Sequence, residues 1–528
     1  RKKLQVIICV LLVELCERFT FFGIVCNMIL FCTVKLGYNN YLAATVNLSF
    51  IGASTLTPVL VGWFAETCLG RTKVLYLCAF LHFFMLPVVA FPFEDFYIDT
   101  HHMTHQLEPR EQQILFYTGL LAAVLGIGGI RAILCPMGAY SLQGYNQHQL
   151  LAFFNFYWLV NLNSTVVFLG IAYIQQSVAK NLAFLIPFTS VLLALIAIHM
   201  MRNKLTYKPK KGSLLTTLGV FLNSLRMCCL HYRHLSGDVT SWLDRAKENN
   251  GGRYSETHVE NVKVLAKLFP LYGLQLLYRA CITQIPSGYY IQTMNSNLHL
   301  NDLLLPIGAM NVISILPLLL LAPLFECVAS CYLSTGKTPL APAKLILGHI
   351  CAALSVLLAG LSELQRKSYP LVEQTLSGKV LQVSSMPCFQ LAPQYVLLGL
   401  AEALVTPASL ISFQLTPSHI RGISLHFLTL SYGGGCLLGA FIVQLVYFIS
   451  GNFYPNTLHD GNLERFFFLL ATLMALNTVV FWSVSYYMDL SVQGKALTIS
   501  PLAEKLLHYK ASLRFYDTVD HASIESIL

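Results

Sequence analysis

The chain has 528 residues, of which 55% are hydrophobic and only 11% charged, and its formal net charge is +9. So little charge beside so much apolar surface excludes an ordinary soluble domain and describes a polytopic membrane protein. In a soluble protein the positive excess would suggest nucleic acid; here it falls in loops between apolar runs, so it reports topology and no nucleic-acid partner is expected.

The chain opens Arg1-Lys2-Lys3 without Met, so an N-terminal tail is expected to be missing, and no cleavable signal peptide is apparent. An apolar run from Leu4 to Leu36 follows. As a helix it reaches about 50 Å, against a hydrocarbon core of roughly 30 Å. Glu14, Glu17 and Arg18 therefore lie at membrane depth. Each ionised group there costs on the order of 3 kcal/mol, more if it faces lipid. Glu14, Arg18, Phe21 and Val25 share one helical stripe with Glu17 beside it. One reading is a structural pair, Arg18 neutralising Glu14. The other is a wet interior face that carries protons, ions or substrate.

Apolar segments near 42–65, 74–92, 114–141, 150–178 and 181–201 complete a first half of about six spans. A polar, basic stretch from Arg202 to about Asn261 reads as a linker. Within it Leu214, Leu215, Leu218, Phe221, Leu222 and Leu225 recur at helical spacing, too short to span and amphipathic enough to lie along a membrane surface. Segments near 262–292, 303–333, 340–364, 387–416, 422–450 and 464–489 repeat the pattern. The expected division is 1–201, a six-helix half; 202–261, the linker; 262–490, the second half; and 491–528, a tail. Basic residues cluster in the N-terminus, at Arg71 and Lys73, in the linker, at Lys337, Lys344 and Arg421, and in the tail, all on one side. The positive-inside rule then places both termini in the cytoplasm. Two six-span halves joined by such a linker are the organisation of the major facilitator fold, all-α, with substrate bound near the midplane.

The 15 cysteines fall mostly inside apolar runs, where they act as small hydrophobes, so no disulfide framework is expected. The sequons at Asn47 and Asn163 lie in expected spans and are read as unglycosylated.

Several motifs are more specific than this architecture. Glu14-x-x-Glu17-Arg18-Phe19-x-Phe21-Phe22-Gly23 resembles the first-helix signature of the proton-coupled oligopeptide transporters. Gly62-Trp63-Phe64-Ala65-Glu66 with Leu69-Gly70-Arg71 resembles that family's loop after the second helix, with Glu66 where aspartate is usual. Phe153-Phe154-Asn155-Phe156-Tyr157-Trp158-Leu159-Val160-Asn161 resembles its fifth-helix signature, and Pro393-Gln394-Tyr395 followed by Glu402 its tenth helix. Departures point to a divergent relative of the peptide/histidine branch of solute carrier family 15. Val25 stands where peptide-binding members carry a second arginine, and Phe21, Phe22 and Thr55 stand where they carry tyrosines. A histidine of the animal transporters aligns near Leu48, an acidic position near Thr283, and Arg131 replaces a common lysine.

The resemblance implies Glu14, Glu17, Arg18 and Arg131 in proton coupling, and Arg131, Asn161, Tyr157 and Glu402 in substrate binding. A carboxylate facing Arg131 is held ionised, and its protonation releases the pair. Glu402 resembles the residue that meets a substrate amino group; the alternative is that it pairs with Arg279. Helix packing is the alternative for Asn161, Tyr157 and Trp158. The expected function is proton-driven symport of a di- or tripeptide or histidine across a plasma or endolysosomal bilayer. A proton-independent facilitator, and a sensor that binds cargo and recruits cytosolic partners, are the competing readings. No nucleophile and base constellation, metal-ligand spacing or phosphate loop is present, so neither an enzyme nor a cofactor nor a metal site is expected.

Overall fold

The computed structural model describes residues 2–90, 108–141, 158–178, 185–201, 214–229, 241–334, 341–414 and 421–498. The chain divides into two compact units, Arg1–Thr478 and Val479–Leu528. In the second, described residues continue the last helix and expose Trp482, Tyr486 and Tyr487. Everything below concerns the first.

The apolar runs fold as helices because a chain in lipid must satisfy its backbone groups internally. In chain order they are α1 (Lys2–Leu30), α2 (Asn40–Phe64), α3 (Arg71–Ala90), α4 (Pro109–Ser141), α5 (158–178), α6 (Leu185–Met201), the linker helix α7 (Leu214–Cys229), α8 (Glu256–Ile282) and the short α9 (Tyr290–Met294). Then come α10 (Ala309–Ser334), α11 (Ala341–Lys367), α12 (Ala392–Gln414), α13 (Arg421–Ile449) and α14 (Leu463–Thr498). Among the described residues, 7 helices are long and apolar enough to cross a membrane, and Thr72–Phe83, Trp158–Ile171, Thr189–Met200 and Ala309–Leu321 are shorter apolar segments. With α8, which carries Lys263, Lys267 and Arg279, they occupy the positions that the twelve-helix major facilitator fold requires.

Helix α1 packs against α6, α3 against α4, α8 against α13, and α12 against both α10 and α11. The two halves meet along α2 and α13. Gly52 of α2 lies against Cys436 and Leu437 of α13, where a side chain would press on both. At the end of the bundle away from the linker, uncharged groups join the halves. The Asn40 amide donates to the carbonyls of Pro455 at 3.0 Å and Asn456 at 3.2 Å, and Gln444 donates to Thr45 Oγ1 at 2.8 Å. Tyr41 and Tyr447 stack with centroids 3.6 Å apart. Gln176 at the end of α5 donates to Leu305 O at 2.9 Å and accepts from Ile307 N at 3.1 Å.

Between α8 and α9 the backbone widens into a π-helical segment, Ile285–Tyr289. A π segment disturbs the helical bonding ladder. The Pro286 carbonyl is taken up by the other half, accepting from Asn47 Nδ2 at 2.6 Å. Asn163 Nδ2 likewise donates to Leu15 O at 3.1 Å, so both sequon asparagines tie helices together inside the protein.

On α7, Thr217, Val220 and Ser224 are buried, Val220 against Leu243, Ala246, Val259 and Val262, while Leu218, Leu222 and Leu225 form an exposed apolar face. One feature departs from the sequence reading. A hairpin of β3 (Leu371–Leu376) and β4 (Lys379–Ser384), preceded by the short pair β1 (His299–Leu300) and β2 (Leu303–Leu304), lies between α11 and α12 where only a loop is expected. Its two-residue turn, Ser377-Gly378, has φ of 50° and 84°, the left-handed pair that matches strand twist.

Candidate functional site

Helix α1 turns its charges toward α4. Arg131 reaches them because α4 approaches its neighbours closely: Gly128 abuts Thr57 of α2 and Gly129 abuts Cys78 of α3, leaving no room for a Cβ at either glycine. Arg131 Nε donates to Glu17 Oε1 at 2.9 Å, with the Glu17 side chain 1% and the Arg131 side chain 9% exposed. Burying either charge alone would cost several kcal/mol, so each is the condition for the other. The guanidinium also lies 4.4 Å above the Phe21 ring, which stacks on Phe50 at 6.0 Å. A phenyl face there stabilises the cation by about 0.5–2 kcal/mol without supplying a hydroxyl. Arg18 Nε stands 3.7 Å from Glu17 Oε2. Glu14, half-buried one turn earlier, is under the influence of Arg18, Glu17 and Arg131. The structure thus brings all four proposed coupling residues into one electrostatic group.

In the other half, Glu402 of α12 meets Arg279 of α8, with Nη1 and Oε1 3.5 Å apart and the side chains 23% (Arg279) and 30% (Glu402) exposed. The Arg279 guanidinium lies 4.9 Å from the Tyr432 ring centre on α13. Gly435 makes this possible, since a Cβ there would strike the Arg279 side chain and the Leu276 carbonyl. The resemblance assigns Glu402 to a substrate amine; its described charged partner is this arginine, the alternative weighed for it above.

Asn161 is half-buried on α5, and its backbone carbonyl accepts from Ser164 Oγ at 2.7 Å and Thr165 Oγ1 at 3.0 Å. Tyr157 lies outside the described residues, as do the side chains of Glu66 and Arg71. The positions that depart from the peptide-transporter pattern are packed. Val25 and Leu48 are buried, Thr55 Oγ1 bonds Ile51 O at 2.8 Å, and Thr283 Oγ1 bonds Ala280 O at 3.0 Å.

Sequence reasoning gave Arg279 no role of its own, although an arginine in an apolar helix facing a glycine run, Gly433-Gly434-Gly435, is a legible signal. It also passed over His82 of α3, which is 1% exposed and packed beside Gly126 of α4 in the half that holds Arg131.

The PTR2 model of the POT family matches residues 90–457. The chain is 55% identical over 532 residues to human solute carrier family 15 member 5, covering 99% of this chain and 92% of that one. It is 25% identical to mouse solute carrier family 15 member 3, with 90% of each chain covered. It is also 25% identical to the NRT1/PTR family 4.1 protein of Arabidopsis thaliana, covering 90% of this chain and 94% of that one. Among solved structures, an auto-inhibited POT family peptide transporter superimposes with a TM-score of 0.66 at 17% identity, covering 90% of this chain and 96% of that one. A POT family transporter in complex with 5-aminolevulinic acid does so with a TM-score of 0.65 at 15% identity, covering 91% and 96%.

Proposed function

The chain belongs to the POT family of transporters, and from that premise we propose that it is a proton-coupled symporter of a small zwitterion, a short peptide or histidine, worked by alternating access between two six-helix halves. One observation carries this reading: Glu17 and Arg131, on different helices at membrane depth, form a nearly sealed ion pair. Arginine keeps its charge at all accessible pH, so the carboxylate is the partner that switches. A proton on Glu17 removes the attraction that holds α1 to α4 and leaves Arg131 a desolvated cation in need of an anion. A substrate carboxylate answers that need, which couples the proton to the cargo. The two packings then differ in which contacts hold the halves together, and proton plus substrate shift the balance. The basic-residue bias supports a cytoplasmic side for both termini and the linker. That a relative of the same fold holds 5-aminolevulinic acid, a molecule with one amine and one carboxylate, supports a cargo of this size and charge.

Counterflow of labelled histidine and dipeptides in proteoliposomes, with and without an inward pH gradient, tests the proposal. Uptake that accumulates only with the gradient is the expected result. Equilibration unaffected by the gradient would leave a facilitator, and saturable binding without flux would leave a sensor.

A further inference from the structure

His82 of α3 is a buried titratable group that the coupling scheme above leaves unused, and it is 1% exposed. Helices α3 and α4 come close together beside it: a Cβ at Gly126 would strike the His82 side chain and the Cys78 carbonyl. The Ala123 carbonyl of α4 acts on the ring, yet neither Nδ1 nor Nε2 completes a hydrogen bond with any described residue. A buried polar group left in that state costs stability, so its presence calls for a reason. Filling the space between two helices is not reason enough, since leucine or phenylalanine would do so without that cost.

Position supplies the reason. The contacts of Gly126 with His82 and of Gly129 with Cys78 show that α3 and α4 run antiparallel. Helix α4 runs toward the linker end of the bundle, and along it Arg131 follows Gly126 by about 7.5 Å. Side chains lean toward the N-terminus of their own helix, so on these two helices His82 and Arg131 lean toward each other. The histidine lies on the side away from the linker. Among the described side chains on the helices around α3, charged or titratable groups are Arg131 on α4, His199 on α6, and Glu14, Glu17 and Arg18 on α1. Of these, Arg131 acts on the His82 ring, while His199 stands 3.5 Å from the Tyr76 hydroxyl.

The carboxylate that Arg131 holds has an oxygen to spare. Glu17 Oε1 accepts from Arg131 Nε at 2.9 Å, whereas Oε2 accepts no hydrogen bond from any described residue and stands 3.7 Å from Arg18 Nε. A proton can therefore be taken up at Oε2 while the bond at Oε1 is still made.

We propose that His82 is the proton donor to the Glu17–Arg131 pair, relaying protons from the end of the bundle away from the linker. A neutral imidazole carries a hydrogen on one nitrogen and a lone pair on the other, which suits it to this task. The bare nitrogen takes a proton from a hydronium ion on the side away from the linker, leaving water. The opposite nitrogen gives its own hydrogen, through intervening water, to Glu17 Oε2. One N–H bond forms and one breaks, so the ring returns to neutrality as its other tautomer, and a flip of the ring resets it. Arg131 drives the second half of the step, because two neighbouring cations repel and the proton moves on to the carboxylate. The inference rests on the symport reading above and adds to it the route by which the proton arrives.

Two measurements on the full chain test the relay. The first needs no cargo: protein carrying nitrogen-labelled histidine, in nanodiscs, is followed by nitrogen NMR over a pH series, with His82 identified by the signals that disappear in His82→Gln. The relay predicts that both ring nitrogens exchange with water and that the ratio of tautomers changes in Glu17→Gln. A single tautomer sealed from water at every pH overturns it. The second compares gradient-driven uptake of labelled histidine and dipeptides with their counterflow at equal pH in proteoliposomes. His82→Gln keeps a donor and an acceptor but cannot pass a proton on, so uptake should fall at least about tenfold and counterflow far less. Gly126→Ala, which displaces the ring without removing it, should move the same ratio in the same direction, and it keeps the test informative if His82→Gln misfolds. Equal losses of uptake and counterflow, or wild-type uptake in His82→Gln, overturn the relay and leave the symport reading standing. Gradient-independent flux in the native chain, with a His82 ring that exchanges with water and answers to Glu17, overturns the symport reading and leaves His82 as the donor to Glu17.

Discussion

Arg131 and Glu17, separated by 114 positions in the chain, meet through an Nε to Oε1 bond of 2.9 Å in which neither partner has water to fall back on. Removing one partner of such a pair costs about 3–5 kcal/mol through the charge left behind. Arg131→Ala is therefore expected to abolish uptake, with some loss of thermal stability. Glu17→Gln keeps the shape and an acceptor for Arg131 while removing the protonation step. It should retain exchange of substrate between equal pools and lose accumulation driven by a pH gradient. Gradient-driven accumulation at the wild-type level in Glu17→Gln would move the coupling elsewhere, and Glu14 would be the next residue to test.

At the end of the bundle away from the linker, the described contacts that join the halves are amides, hydroxyls and one tyrosine stack. A single hydrogen bond of this kind contributes about 0.5–1.5 kcal/mol. Asn47→Leu removes the 2.6 Å bond to Pro286 O at the contact of the halves. The ratio of open to closed at this end should rise by about fivefold, since 1 kcal/mol corresponds to roughly that factor. Spin labels at the exposed positions Asn39 and Asn452 report the separation, and the longer-distance population should grow. An unchanged distance distribution would show that Asn47 serves packing alone.

Much of this was legible in the sequence, for a definite reason. An ionisable residue in an apolar run is conspicuous, so Glu14, Glu17 and Arg18 could be singled out before any geometry was known, while Arg131 came from the family resemblance. Which residues they meet was harder, because sequence spacing orders residues along one helix and says nothing of the facing one. Glu402 illustrates the gap: its role as an amine receptor and its pairing with Arg279 read equally well in one dimension, and only the approach of α8 to α13 at Gly435 reveals how the arginine is seated. On α7 the helix docks by Thr217, Val220 and Ser224, whose small volume lets it lie close to Leu243 and Ala246, and this leaves Leu218, Leu222 and Leu225 facing outward. The hairpin was overlooked although Ser377-Gly378 joins two short runs that strand pairing aligns residue for residue.

The linker has its own titratable anchor. Burial pushes the Asp244 carboxyl up, but hydrogen bonds from Lys263 and Lys247 and the charge of Lys263 outweigh it and bring its pKa to about 2. Asp244 Oδ2 also accepts the Ser241 amide at 3.0 Å, closing a capping box. Because the folded pKa lies below the ordinary aspartate value of about 3.9, the stabilisation is complete above that value and is lost as pH falls toward 2. Docking of α7 on this segment should therefore persist at pH 5 and weaken between about pH 4 and 2. Hydrogen exchange of the amides of Val220 and Leu243 measures it, and Asp244→Asn should show weakened docking already at neutral pH. Protection in Asp244→Asn equal to that of the native chain would remove the anchor role.

The last prediction separates a lock from a working part. Arg366 and Glu363 are sealed within a wider network: Gln292 Nε2 donates to Glu363 Oε2 at 3.0 Å, Gln394 donates to Gln292 Oε1 at 2.8 Å, and Arg366 Nη1 donates to Asn295 O at 3.3 Å. The Asn295 carbonyl also receives the Ser384 amide at 3.0 Å, while Ser384 Oγ donates to Arg366 O at 2.7 Å, so the pair fastens β4 to α11 and to the end of α9. Arg366→Met strips Glu363 of its cation while leaving it dry, and should lower stability by about 3–5 kcal/mol. Glu363→Gln combined with Arg366→Met removes both charges, fills the volume and keeps an acceptor for Gln292. Replacing a buried ion pair in this way is commonly close to neutral, so the double variant should melt nearer the native chain than the single one. It should also keep its substrate binding, because no part of this network reaches Arg279 or Glu402 through a described bond. Thermal unfolding of the two variants, followed by histidine binding to the double variant, checks both halves of the argument. A double variant as unstable as Arg366→Met would show that the bonds of the charged pair themselves hold the hairpin, and one that is stable yet no longer binds would make the pair part of the site.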